Sequence, residues 1–273
     1  MKSELAVAMI ISAVIGVAGC SESTGPKPQP FIYPLEVGTR WIYDHVTITD
    51  YHGDKPSDTT RGVVTVTVDA IDTLATLGPS ARVHSDYIDL SGEWEGVHYY
   101  QNREDGLHWV AACGTNDEAL PKRRLRGSDL ASWRHGLPRM TPAEALGPPD
   151  ICEREGMHTL EDEPLVLQYP LHIGDRWLFR DPEVTGIEIL RVVERWEKVR
   201  ADAGTFWCYR VRWDYPSEPH LDVIDHVSQS GLIRRSITLR DAIFSDPGYE
   251  LGNDTADVFV TMQLKTLIAP GVP

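Results

Sequence analysis

Apolar and polar residues alternate along most of this chain with a period of two, the pattern of strands that bury one face. Arg61 to Ile71 carries Val64, Val66, Val68 and Ala70 on one side and Thr65, Thr67 and Asp69 on the other. Trp41 to Thr49, Ser80 to Ile88, Val97 to Asn102 and Leu107 to Ala111 read as further strands, rich in β-branched and aromatic residues. Between the last two, Arg103-Glu104-Asp105-Gly106 sets Asp-Gly between apolar runs, a strong hairpin signal. Later strands are predicted near Arg176–Phe179, Gly186–Glu194, Thr205–Tyr215, Leu221–Val227, Ile233–Phe244 and Asp257–Ile268.

The strands fall into two series, and each opens on the same stretch. Tyr33-Pro34-Leu35-Glu36-Val37-Gly38-Thr39-Arg40-Trp41 returns as Tyr169-Pro170-Leu171-His172-Ile173-Gly174-Asp175-Arg176-Trp177. Pro biases the preceding Tyr toward extended backbone, and Gly permits a turn that a side chain would resist. Later landmarks keep their order: Arg82-Val83 with Arg210-Val211, and Asp105-Gly106-Leu107 with Ser230-Gly231-Leu232. Repetition of that kind predicts a mainly β protein of two tandem, related antiparallel domains, of meander or half-barrel type, at 31–111 and 165–273. An insertion at 112–164 separates them. Within it, Thr141-Pro142-Ala143-Glu144 followed by Gly147 spells a capped short helix, and Ser128 to Trp133 reads as another.

The N-terminus adds an address. Leu5 to Ala18 is apolar except for Ser12, too short a run for a membrane span but long enough for the core of a signal peptide over residues 1–19. It ends in Val17-Ala18-Gly19-Cys20, which resembles the lipobox of bacterial lipoproteins. That resemblance implies cleavage before Cys20, acyl chains on it, and anchorage in a membrane; Ser21 after the Cys fits the outer one. Residues 20–30 then form a Pro-rich polar tether. The net charge of −15 argues against nucleic acid as a partner, whose binding would leave a basic footprint.

Three further cysteines remain. Cys113 and Cys152 bracket the insertion, so a disulfide is expected between them, while Cys208 lies mid-strand as a small apolar residue. Lys122, Arg123, Arg124 and Arg126, with Arg134 and Arg139, form a basic cluster that either meets anionic headgroups or an acidic partner, or is a solvated loop face. Trp207, Tyr209, Val211, Trp213 and Tyr215 share one face of a strand, as an aromatic groove or as core. His220, Asp222 and His226 also share a strand face, but ligands strung along one strand make a poor metal cage, so no metal and no cofactor are expected. No nucleophile, zincin or phosphate-loop motif is present, and no enzyme activity is expected.

The order Tyr-Pro-Leu-x-x-Gly-x-x-Trp, then Ala203-Gly204-Thr205-Phe206-Trp207-Cys208-Tyr209-Arg210-Val211, then Ser230-Gly231-Leu232-Ile233, is similar to a widespread group of uncharacterised bacterial envelope proteins, many of them lipoproteins with an antiparallel β fold. The resemblance implies a fold and an address but no chemistry. Three functions are compatible with it: a non-enzymatic binding or assembly protein of the envelope, a carrier that shelters a lipid or other apolar ligand in a curved sheet, and an envelope hydrolase without a recognisable motif.

Overall fold

The computed structural model describes residues 28, 30–75, 77–89, 92–113, 157–160, 163–185, 188–244 and 254–271. Their strands are β1 (Arg40–Tyr51), β2 (Asp58–Leu74), β3 (Gly78–Asp89), β4 (Gly92–Asn102), β5 (Gly106–Cys113), β6 (Met157–Thr159), β7 (Leu165–Gln168), β8 (Arg176–Arg180), β9 (Ile189–Ala201), β10 (Gly204–Asp214), β11 (Leu221–Ser228), β12 (Gly231–Phe244) and β13 (Asp254–Ile268). One helical turn, α1 (Pro182–Thr185), links β8 to β9. All pairings are antiparallel. The sheet runs β6-β5-β4-β3-β2-β1-β13-β12-β11-β10-β9-β8, with β7 paired to β5, and curls into a nearly closed barrel.

Two separate domains were expected, and the strands form one sheet instead. The join is β1 against β13, paired from Arg40↔Ile268 to Tyr51↔Ala256. Each edge is one that an isolated domain would leave unpaired and prone to association. The join also shares a core: Trp41, Tyr43, Val64 and Val83 of the first series pack with Ile233, Met262 and Leu264 of the second. The expected insertion is entered later than predicted, because β5 continues to Cys113, and its far end is the strand β6 against β5. Both helices predicted within it lie outside the described residues, as do residues 1–19, Cys20 and most of the tether.

The alternation places side chains as the sequence implies. Along β1, Trp41, Tyr43 and His45 point inward and are buried. Along β2, Val64 and Val68 are buried, and a register shift between Val68 and Ala70 leaves Ala70 only half-buried. The hairpin at Asp105-Gly106 is present, closed by Arg103 N–H to Gly106 O (2.7 Å) and Gly106 N–H to Arg103 O (3.2 Å). The two copies of the repeated stretch make matching turns. Gly38 N–H bonds to Val68 O and Val68 N–H to Thr39 O; Gly174 N–H bonds to Val193 O and Val193 N–H to Asp175 O. Each glycine has a left-handed φ, +93° and +95°.

Candidate functional site

The stretch before β1 runs into the mouth of the barrel. Phe31 packs on Tyr209, with ring centroids 6.1 Å apart, and Tyr33 on Trp41 at 5.9 Å. The Tyr33 hydroxyl accepts the Leu232 N–H at 3.3 Å. Its backbone N–H donates to the Tyr169 hydroxyl (2.8 Å), which donates to Asn102 Oδ1 (2.8 Å), and Asn102 Nδ2 donates back to Tyr33 O (2.9 Å). The tyrosines that open the two repeats therefore meet each other. Burial pushes the Tyr33 hydroxyl up to about 12, so it stays protonated at any physiological pH.

Below this plug lies a line of buried charge. Asp225 on β11 faces Arg235 on β12 across the ladder and accepts two hydrogen bonds from it, Nε to Oδ1 at 2.6 Å and Nη2 to Oδ2 at 2.7 Å. Trp213 Nε1–H donates to the same carboxylate at 2.9 Å. Arg191 on β9 sits opposite Trp213, its guanidinium 3.7 Å from the indole centroid and 4.4 Å from the Phe179 ring. Arg191 Nη1 donates to Val166 O on β7. Arg191, Asp225 and Arg235 are 1%, 2% and 1% exposed. Burial opposes ionisation of Asp225, but the Arg235 charge and hydrogen bonds, with Arg191 and Trp213, outweigh it and hold the carboxyl below the usual range. Burial lowers Arg191 to about 9, which leaves it charged at neutral pH.

A cavity of about 90 Å³ remains between the plug and this line, bordered by Tyr33, Trp41, Tyr100, Arg191, Asp225 and Arg235. One water needs roughly 10–15 Å³ by such a measure, so the space suits a few waters. An open depression of about 410 Å³, lined by Ile71, Leu77, Pro79, Ala81 and Arg103 among others, adjoins the cavity and shares Leu35 and Tyr100 with it. Its floor is held by Gln101, whose amide donates to Leu77 O, Pro79 O and Ser80 Oγ, and whose oxygen accepts from Arg103.

The predicted site residues scatter. Tyr209, Trp213 and Tyr215 are buried in core contacts, while Trp207 is half-buried and stacks on Trp196 at 6.1 Å and 13°. The face read as groove or core is thus packed along Tyr209–Tyr215. Cys208 is a free, buried thiol that burial pushes up to about 12; Cys113 is disulfide-bonded, and its expected partner Cys152 lies outside the described residues, as do Lys122, Arg123, Arg124 and Arg126. Of the histidine set, His226 turns to Glu197 Oε1 at 3.0 Å and His220 to Asp241 at 3.5 Å, so they do not converge. The charged line was missed although alternation marks it. Arg191 lies between Ile189 and Val193, Asp225 between Val223 and Val227, and Arg235 between Ile233 and Ile237, each at an inward position.

No family model matches the chain, and no curated protein matches it. Solved structures to which the chain is similar include a protein from Parabacteroides distasonis described as a lipoprotein, 14% identical over 89% of this chain and 100% of that one, with a TM-score of 0.36. A second, from Bacteroides fragilis, is described as an exported protein with a YmcC-like fold; it is 14% identical over 88% of this chain and 100% of its own, at a TM-score of 0.35. A third, described as an outer membrane lipoprotein-sorting domain from Vibrio parahaemolyticus, is 7% identical over 86% and 87% of the two chains, at 0.24.

Proposed function

We propose that this chain is a lipid-anchored envelope protein that binds a partner through the outside of a filled barrel and carries out no catalysis of its own. The observation that carries this reading is the interior. Phe31, Tyr33 and Leu35 pack on the core, the aromatic row of β10 packs against β8 and β9, and the cavity beside them among the described residues is about 90 Å³. Pockets for drug- or lipid-sized ligands run to roughly 300–1,000 Å³, and this cavity among the described residues is smaller, which favours the partner-binding reading over the carrier. In the open depression, Leu35, Ile71 and Leu77 form an apolar floor with Asn102 and Arg103 at its rim, the composition of a modest protein-binding patch. We read the barrel as two copies of one unit, supported by the matching turns at Gly38 and Gly174 and by the order of landmarks. The membrane anchor rests on Cys20 at the end of the apolar run, and Ser21 favours the outer membrane.

The test is native mass spectrometry with lipid extraction on the mature protein taken from its own membrane in mild detergent. The expected result is the mass of the chain plus its covalent acyl groups. A stoichiometric, non-covalent lipid would overturn the filled-barrel reading in favour of a carrier. A photo-crosslinker at Ile71, 52% exposed, should capture an envelope protein that one at buried Trp213 does not.

A further inference from the structure

Four side chains of metal-ligating type, far apart in sequence, meet at the rim where β1 ends. His52 follows β1 and extends its pairing, its N–H bonding to Thr255 O at 2.8 Å. Asp257 lies on β13, Asp241 in a bulge of β12 between Leu239 and Ala242, and His220 just before β11. The bulge aims Asp241: its φ is +54°, a conformation L-residues other than Asn and Asp rarely take, held by its N–H to Asp257 Oδ1 at 3.0 Å. His52 Nε2 is 3.3 Å from Asp257 Oδ1, and His220 Nδ1 is 3.5 Å from Asp241 Oδ2. His52, Asp241 and Asp257 each bring one ligand atom within 4.8 Å of the others.

From this geometry we infer that His52, Asp241 and Asp257, with His220 as a fourth arm, form a binding site for a divalent transition-metal ion of the zinc type. Zinc bonds to nitrogen and oxygen are about 2.0–2.2 Å, which sets ligand–ligand edges of roughly 3.3–3.5 Å in a tetrahedron. The His52–Asp257 and His220–Asp241 separations already have that length. Two imidazoles with two carboxylates suit zinc better than calcium, which takes six to eight oxygens. Thr255 Oγ1 lies 3.2 Å and Asp241 Oδ1 3.9 Å from His52 Nδ1, while Nε2 is the nitrogen beside Asp257; in the tautomer that carries its proton on Nδ1, Thr255 would take the orienting role common beside metal-bound histidines and Nε2 would be the ligand. Arg240 Nη1 stands 3.9 Å from the other Asp257 oxygen and leaves Oδ1 for the metal. His52 and His220 side chains are 43% and 58% exposed, so the ion would keep access to solvent and bind reversibly.

The test is zinc titration of the mature, chelator-stripped protein against a chromophoric competitor, with melting followed in parallel. We expect one zinc per chain and a rise in melting temperature, both lost in His52→Ala and Asp257→Asn, with affinity weakened at least tenfold by Asp241→Asn. His172→Gln, remote from the cluster, should bind as the native chain does. Cobalt in place of zinc should give the intense visible bands of a four-coordinate N/O site. If His52→Ala fails to fold, Asp241→Asn and the cobalt spectrum of the native chain decide the matter. No binding, binding that survives both His52→Ala and Asp257→Asn, or melting indifferent to zinc would overturn the site and leave an ordinary His–Asp ion-pair network.

Discussion

The barrel has two seams between its halves, and they are built differently. At the β13–β1 seam the chain forms a backbone ladder from Arg40 to Tyr51, and Trp41 lies under the β11–β12 hairpin with its Nε1–H on Ser230 O at 2.7 Å. At the other seam β8 ends the sheet, and β7 lies between it and β5. There Trp177, the counterpart of Trp41, donates to Leu165 O at 2.8 Å, and Arg191 reaches Val166 O. One seam is backbone and the other is side chain. One of the two side chains that bridge the second seam is a buried cation, and it lies on the Trp213 ring beside the Asp225–Arg235 pair. The polar line across β9 to β12 is therefore tied to the unladdered seam, and the seams should differ in how they fail.

The largest effect is expected from Asp225. Asp225→Asn leaves Arg235 and Arg191 buried without their shared carboxylate, and breaking a buried pair this way costs about 3–5 kcal/mol. Denaturant unfolding checks the magnitude. The pH dependence checks the cause. The Asp225 carboxyl is held below its unfolded value, near 3.9, so its contribution is complete above that pH and is lost as pH falls through the folded value. Native stability should thus drop on acidification below about pH 4, and the Asn variant should show a shallower drop. Equal slopes in the two proteins would remove Asp225 as the source.

The glycines give the next contrast. Gly231 has φ +98°, and a Cβ there would stand 2.7 Å from Trp41 Nε1, whereas Gly174 has φ +95° with nothing within 4 Å. Both alanine variants carry left-handed strain of about 1–2 kcal/mol. Gly231→Ala must also displace a fully buried indole, so it should cost at least about 1 kcal/mol more than Gly174→Ala. Thermal melting of the pair measures this, and equal shifts would mean that the ladder seam tolerates movement of Trp41.

These contrasts also show what was legible in the chain. Alternation, β-branched and aromatic runs and the Asp-Gly hairpin together located every strand from β1 to β5 and β8 to β13, including β5, which is buried on both faces. It missed β6 and β7, which are three and four residues long and carry too few alternations to register. The repeat was legible through Pro, Gly and Trp, but repetition fixes a unit and not its joints; two domains and one barrel share the same strand list. Arg191, Asp225 and Arg235 were not singled out, since pairing across strands depends on register, which a single strand does not reveal. His52, Asp241 and Asp257 were hidden for the same reason, Asp241 also because a bulge turns it, and His220 was noticed but grouped with the wrong partners.

The smallest effect tests the seams directly. Trp177→Phe keeps an aromatic ring but removes the donor to Leu165 O, a loss of about 1 kcal/mol, together with the packing of the indole atoms that phenyl lacks. Because β7 is short and β8 is the sheet's edge, that loss should appear as local opening and hardly at all in global unfolding. Amide exchange of Tyr169, whose N–H bonds to Asp105 O, should speed several-fold, while amides of β1 and β13 keep their native rates. Uniform acceleration across both seams would show that the barrel opens as one unit, and that the side-chain seam is no weaker than the ladder.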